Sequence, residues 1–94
     1  MIRINAFFVV KAGVTTAQVK AVTDELVEKS RQDAGNKGYD LFESTTQPDV
    51  YMFCESWENS ELLDKHARSE HFTRLVPQLE SLCEKGLSIE KFER

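Results

Sequence analysis

GYDLFESTTQPDVYMFCESW, residues 38–57, is the stretch on which the fold prediction rests. Two runs rich in aromatic residues, one opened by Gly38 and one spanning Val50 to Trp57, flank a polar loop that contains Pro48. Strand-forming runs joined by a short polar loop are typical of an antiparallel hairpin. We therefore predict that the second and third strands of the chain form a hairpin at its centre.

The segment before this hairpin predicts a strand and a helix. Residues 2 to 10 place apolar side chains on one parity, which is the pattern of a half-buried strand. Thr15 and Gln18 have the spacing of a capping box, and apolar residues then recur at helical spacing, which predicts a helix over roughly residues 16 to 33. The helix would serve as a crossover that returns the chain to the sheet.

Helical patterns also follow the hairpin. Asn59 or Ser60 can cap one helix, and Ser69 can cap a second segment directly after it. An apolar stripe continues along that segment, although Pro77 removes one backbone donor inside it. We expect a kink or break near Val76.

The end of the chain completes the topology. Gly86 is a plausible helix stop, and the alternation over residues 87–92 predicts a fourth strand. The element order β-α-β-β-α-β is that of a ferredoxin-like sandwich. The chain is therefore predicted to be a single α+β domain, residues 1–94.

Charge and cysteine content indicate which partners and which compartment to expect. Twelve Lys and Arg against sixteen Asp and Glu give a net charge of −4, with the signs interspersed, so nucleic acid is an unfavourable partner. Cys54 and Cys83 form no closely spaced pair, which favours a reduced, cytoplasmic setting. No segment has the pattern of a signal peptide or a membrane span.

The predicted strands carry apolar residues on both parities. Phe7 opposes Phe8 in the first strand, and Met52 opposes Phe53 in the third. Two helical segments on one face would leave the other face of the sheet uncovered. We therefore predict a symmetric homodimer in which two sheets pack face to face.

Candidate functional residues begin at the end of the third strand and continue into the following helices, and no fixed-spacing catalytic motif accompanies them. Glu55 and Trp57 share one strand parity with aromatic residues, which would form a wall for a flat ligand. His66 lies on the apolar side of its helix, and His71 follows the Ser69 cap. An imidazole can exchange a proton with a phenol or enediol near neutral pH, and Glu55 could orient it.

A structural role is the alternative interpretation of each residue. The histidines can be hydrogen-bonded packing residues, Trp57 can be core, and Asn5 can face water. Metal binding by the two histidines with Glu55 is disfavoured, because their spacing across a predicted helix break matches no standard site. Neither cysteine has a neighbour that would lower its pKa.

The chain resembles the antibiotic biosynthesis monooxygenase superfamily, most closely its quinol-monooxygenase-like members. The resemblance rests on residues 38–44, Pro48, residues 53–57, His66 and residues 69–72, and it covers nearly the whole chain. It implies a dimeric α/β barrel of ferredoxin-like subunits, each with a pocket between sheet and helices. It also implies oxygenation without a cofactor, in which a deprotonated phenol or quinol passes an electron directly to molecular oxygen as co-substrate.

These arguments give one set of candidate residues and three functional hypotheses. The catalytic candidates are Glu55, His66 and His71, and the substrate-binding candidates are Trp57, Phe53, Phe72, Asn5, Tyr39 and Phe42. The leading hypothesis is a cofactor-independent monooxygenase that oxidises a small quinol or polyphenol-like aromatic. The second is an isomerase of a small hydroxy-carbonyl signal, since a branch that isomerises a phosphorylated autoinducer has a similar pattern of histidines. The third is a non-catalytic dimer that binds a small molecule.

Overall fold

The computed structural model of the chain describes all 94 residues, in seven elements. They are β1 (Ile2–Val9), α1 (Thr16–Arg31), β2 (Asn36–Glu43), β3 (Val50–Trp57), α2 (Ser60–Ala67), α3 (Glu70–Ser81) and β4 (Ser88–Glu93). None of the helices has both the length and the apolar composition needed to cross a membrane.

The four strands form one antiparallel sheet in the order β2-β3-β1-β4. This is the α+β, ferredoxin-like architecture predicted from the sequence, and the third strand has the predicted bounds. The second strand begins two residues earlier than predicted, at Asn36, with an irregularity in the pairing between Asn36 and Gly38. The central hairpin is therefore confirmed.

One face of the sheet packs against the helices and holds the core. Alternate residues of β1 point to this face and are buried, because successive side chains of a strand point to opposite sides. The helices contribute Val19, Leu26, Leu75 and Leu79, each at most 3% exposed. Trp57, at the end of β3, is fully buried and is the largest side chain in the core.

Helix starts match the capping patterns in the sequence. Thr15 and Gln18 form both hydrogen bonds of a capping box at the start of α1. Asn59 accepts a hydrogen bond from the backbone N–H of Leu62, and Ser69 accepts one from that of Phe72. Each of the three caps satisfies a backbone donor that the first turn of a helix leaves free.

The break predicted near Val76 and the helix stop predicted at Gly86 are both wrong. The helix α3 continues past Pro77 without a break, because Leu75 and Leu79 on either side are buried and their packing offsets one missing backbone hydrogen bond. It ends at Ser81, so Gly86 is not its stop. Cys83 instead pairs with Val10 in an isolated bridge that ties this segment to the end of β1.

The other face of the sheet has no helix over it, and we call it the open face. Phe42 of β2 and Phe7 of β1 are both paired in register with Met52 of β3, so three apolar side chains form a row across three strands. Phe7 is 37% exposed and Phe42 is 54% exposed. The face therefore carries apolar surface that the single chain leaves in water.

Candidate functional site

Asp33 joins the two histidines. Its Oδ2 atom lies 2.8 Å from Nδ1 of His66 and 2.8 Å from Nε2 of His71. An ionised carboxylate only accepts hydrogen bonds, so both ring nitrogens carry the proton in these contacts. The carboxylate thus holds α2 and α3 together through one side chain from each helix.

A tight turn after α1 places this carboxylate. The backbone N–H of Asp33 donates to the carbonyl of Ser30, and that of Asn36 donates to the carbonyl of Asp33. Gly35 in the same turn has φ +80°, a conformation that favours glycine. A Cβ atom at Gly35 would lie 2.4 Å from Cδ1 of Leu62, so the turn approaches α2 more closely than any other residue would allow.

His66 lies inside an aromatic enclosure. The centroid of its ring lies 4.5 Å from that of Trp57, 5.6 Å from that of Tyr39 and 5.2 Å from that of Phe72. The side chain is 2% exposed, and its Nε2 atom is buried without a hydrogen-bond partner. One ring nitrogen is therefore fixed by Asp33, and the other faces apolar surroundings and makes no hydrogen bond.

The surroundings of His66 favour its neutral form. Burial lowers the pKa of His66, although the hydrogen bond to Asp33 and its charge act in the opposite direction. A neutral ring with its proton on Nδ1 has a lone pair on Nε2. The pair of His66 and Asp33 can thus accept a proton at Nε2 and stabilise the resulting cation.

Glu55 binds Trp57 and not a histidine. Its Oε1 atom accepts a hydrogen bond from the indole Nε1 of Trp57 at 3.0 Å, and its side chain is buried. Burial raises the pKa of Glu55 to about 7, while the bond from Trp57 opposes that change. The prediction that Glu55 orients a histidine is therefore wrong, because Asp33 occupies that role.

Most of the predicted aromatic residues meet at this cluster. Tyr39 is paired with Glu55 in the sheet, and burial, together with the Glu55 carboxylate, raises the pKa of its phenol, so the phenol keeps its proton. Phe53 packs 5.5 Å from Tyr39 as part of the same buried layer. Phe72 is partly exposed and covers His66 from the side of α3.

The structure places Asn5 and Phe42 away from the cluster. Both point to the open face. Asn5 has the opposite strand parity to Ile4 and Ala6, which are buried under the helices. Phe42 pairs with Met52 in the apolar row described above. The side chain of Asn5 accepts a hydrogen bond from Arg3 there. Their predicted place beside the other candidate residues is therefore wrong.

Two concavities lie near the helices. A groove of about 660 Å³ runs between α1 and β2, with Val27, Leu41 and Tyr51 among its lining residues, and it does not reach the histidines. A smaller hollow of about 250 Å³ is lined by Asp33 and His66, with Lys65 and Arg68 also in its wall. The Nε2 atom of His66 is buried, so a ligand reaches it only if a neighbouring side chain moves.

One group of side chains has the donors to hold a metal ion. The ligand atoms of Asp33, His66 and His71 lie within 4.8 Å of one another. The sequence-based argument against a metal site considered Glu55 as the carboxylate, and the structure replaces it with Asp33. Sequence analysis missed Asp33, because a single aspartate in a polar turn, 33 and 38 residues from the histidines, carries no pattern that distinguishes it.

Comparisons with known sequences agree with this architecture. A family model described as antibiotic biosynthesis monooxygenase matches residues 1–78. The protein named putative monooxygenase YcnE, from Bacillus subtilis, is 29% identical over 68 residues, which are 72% of each chain. The uncharacterized protein sll1783 of Synechocystis is 27% identical over 73 residues, and the match spans 78% of this chain but only half of that protein.

Solved structures match over almost the entire chain. A protein of unknown function from Bacteroides thetaiotaomicron, described as a possible oxidoreductase, is 38% identical with a TM-score of 0.88, and the match covers 99% of this chain and 96% of that one. A crystal structure of an antibiotic biosynthesis monooxygenase is 32% identical with a TM-score of 0.89, covering 100% of this chain and 98% of that one.

Proposed function

Because the chain belongs to the antibiotic biosynthesis monooxygenase family, we propose that it oxidises a small quinol or polyphenol-like aromatic with molecular oxygen and without a bound cofactor. His66 is the base in this proposal. The observation that carries it is the unpartnered Nε2 atom of a buried histidine whose other nitrogen is bound to Asp33. A general base needs this combination of a fixed tautomer and a free lone pair.

The proposed reaction begins with transfer of the phenolic proton to Nε2 of His66. The phenolate then gives one electron to oxygen, and the resulting radical and superoxide combine to form a carbon–oxygen bond. The protonated His66 returns its proton to the peroxide, which loses water with the hydrogen of the oxygenated ring carbon and leaves a quinone, so one oxygen atom enters the product and the other leaves as water. The substrate supplies all the electrons, and the protein supplies the base and the position of the ring.

The aromatic enclosure supports binding of a flat ring in this proposal. Trp57 and Tyr39 form fixed walls, and the hydrogen bond from Trp57 to Glu55 keeps the indole in one orientation. Phe72 is the partly exposed ring beside His66, and we propose that it moves aside to admit the substrate. Aromatic faces hold such rings through offset and edge contacts, which give orientation as well as affinity.

His71 is a positioning residue in this scheme. It donates to the same oxygen of Asp33 as His66 does, and the centroid of its ring lies 5.8 Å from that of the His66 ring. It therefore fixes the carboxylate that orients the base. The two histidines form a matched pair, since they share one partner and one hydrogen-bond distance.

Oxygen consumption tests the proposal. Purified protein is presented with a panel of reduced quinols and polyphenols, and His66→Ala and His71→Ala are compared with the unsubstituted chain. We expect uptake with at least one compound, a loss of about 100-fold or more in His66→Ala, and a smaller loss in His71→Ala. Absence of uptake across the panel, or uptake that survives His66→Ala, would refute the proposal.

A homodimer belongs to the same proposal. The row of Phe7, Met52 and Phe42 on the open face supports a second copy of the chain as the covering partner. Two such faces packed together would remove these side chains from water and close the sheet pair into a barrel. The helix-covered site would then lie on the outer side of each sheet.

A further inference from the structure

We propose that Asp33, His66 and His71 form a binding site for one divalent transition-metal ion of the zinc class. The three donors come from the turn after α1, from α2 and from α3. Two imidazoles and one carboxylate are a donor set that proteins use for such ions. Binding would be a second property of the cluster, separate from its use as a base.

The three donor atoms are clustered closely enough for local movements to bring them to one ion. Oδ2 of Asp33 is 2.8 Å from each histidine nitrogen, and all three atoms lie within 4.8 Å of one another. Tetrahedral coordination at zinc bond lengths separates ligand atoms by roughly 3.3 Å. Oδ2 therefore needs to move about half an ångström from each nitrogen, with the two nitrogens drawn towards a common centre.

The surroundings fix the ligands and leave a way in. The ring of His66 packs against the fully buried Trp57, which keeps it oriented towards the site. The side chain of Asp33 is 21% exposed and that of His71 is 12% exposed, so an ion and a water molecule as fourth ligand can reach these two residues from solvent. Lys65 and Arg68 in the wall of the hollow repel cations, and we expect weaker binding than at a structural zinc site.

The donor chemistry also predicts which ions bind. Imidazole nitrogen suits zinc, cobalt and nickel, whereas magnesium and calcium prefer sites made of oxygen ligands. With two nitrogens among three protein donors, the cluster should discriminate strongly in favour of zinc over magnesium. Magnesium is therefore the control ion for any measurement at this site.

Occupation of the site would change His66, and this part of the inference rests on the proposed function. A metal ion on Nδ1 displaces the proton that Asp33 now accepts, and the neutral ring must carry its proton on Nε2 instead. Nε2 then has no lone pair to accept a proton from a substrate. Zinc would thus act as a reversible inhibitor that works through the tautomer of the base.

Calorimetric titration of the tag-free chain with zinc tests the site. We expect one ion per chain, no heat with magnesium, and at least a tenfold loss of affinity in each of Asp33→Asn and His71→Ala. Glu55→Gln is the matched control, because it removes a buried carboxylate outside the cluster and should leave zinc affinity unchanged. Circular dichroism of each variant establishes that it is folded before its affinity is interpreted.

Nitrogen-15 spectra of the histidine rings supply a second measurement. We expect His66 to be the Nδ1-protonated tautomer without zinc and the Nε2-protonated tautomer with it. No zinc binding, or binding that Asp33→Asn and His71→Ala leave intact, would overturn the site. Zinc binding with the expected tautomer change but undiminished oxygen uptake would leave the site standing and refute the role of His66 as base.

Discussion

The two faces of the sheet use the same strands for different purposes. On the helix-covered face, Glu55 and Trp57 are buried and joined by a hydrogen bond. On the open face, Phe7 and Phe42 remain partly in water and have only apolar neighbours in the row they form with Met52. Because side chains alternate along a strand, one eight-residue run can carry both a polar site and an apolar surface.

Substitutions on the two faces should therefore have different effects. A substitution on the helix-covered face should change the stability of the single chain or the protonation of its buried groups. A substitution on the open face should leave the single chain intact and change only its association. A substitution on one face that produced the effect expected of the other face would contradict this division.

Replacement of Trp57 by alanine should give the largest effect. The side chain is fully buried and packs against His66 and Tyr39, and its removal would also leave the Glu55 carboxyl without its hydrogen-bond donor. We expect the free energy of unfolding to fall by about 4 kcal/mol. Urea denaturation followed by circular dichroism measures this change.

Phe42→Ala is the matched control on the open face, since Phe42 is an aromatic strand residue that is 54% exposed. At protein concentrations low enough to keep the chain monomeric, we expect it to change the free energy of unfolding by less than about 0.5 kcal/mol. Similar losses in both variants would contradict the division between the faces.

Stability should also depend on pH through Glu55. Its folded pKa of about 7 lies above the ordinary value of 4.5, so the folded chain holds the proton more tightly than the unfolded chain. The contribution of Glu55 to the free energy of unfolding is fully present below about pH 4.5 and is lost as the pH rises towards 7. The loss amounts to about 3 kcal/mol, from 1.36 kcal/mol per pKa unit.

The variant Glu55→Gln isolates this contribution. The amide oxygen can still accept the hydrogen bond from Trp57 but does not titrate, so the difference in unfolding free energy between the two proteins should vary with pH only between about 4.5 and 7. Tyr39, the residue opposite on β2, stays protonated across this window. A difference that is flat with pH would show that Glu55 is not buried as a carboxylic acid.

The sequence predicted the fold well because its signals are local. The periodicity of β3 and the caps at Thr15, Asn59 and Ser69 depend on residues a few positions apart, and all of them are confirmed. The break predicted near Val76 was wrong because packing of the side chains that flank Pro77, a tertiary effect, outweighs the local effect of the missing backbone hydrogen bond.

The site was only partly predictable for the same reason. His66 and Trp57 meet because both lie on apolar faces, which periodicity indicates, and their rings are indeed in contact. Asp33 joins His66 and His71 from a turn that no local rule connects to α2 or α3. Asn5 was assigned to the site against its strand parity, so the sequence held the information that corrects it.

We expect a smaller effect from a substitution that weakens association through the open face. Phe7 lies on β1, an interior strand, and pairs with Met52 at the centre of the apolar row. If two chains pack through this face, Phe7→Ala removes part of a buried aromatic contact, and we expect the dimer to dissociate about tenfold more readily, or roughly 1.4 kcal/mol. Sedimentation over a range of concentrations measures the dissociation constant.

Ile89→Ala is the control for that measurement. Ile89 is 62% exposed on β4, but it has the parity of the helix-covered face, since it pairs with Ala6. It therefore offers comparable exposed apolar surface on the wrong side for face-to-face packing, and its replacement should leave the dissociation constant unchanged. A dimer weakened by Ile89→Ala and not by Phe7→Ala would place the interface on the edge of the sheet, and a chain that stays monomeric would remove the homodimer from the proposal.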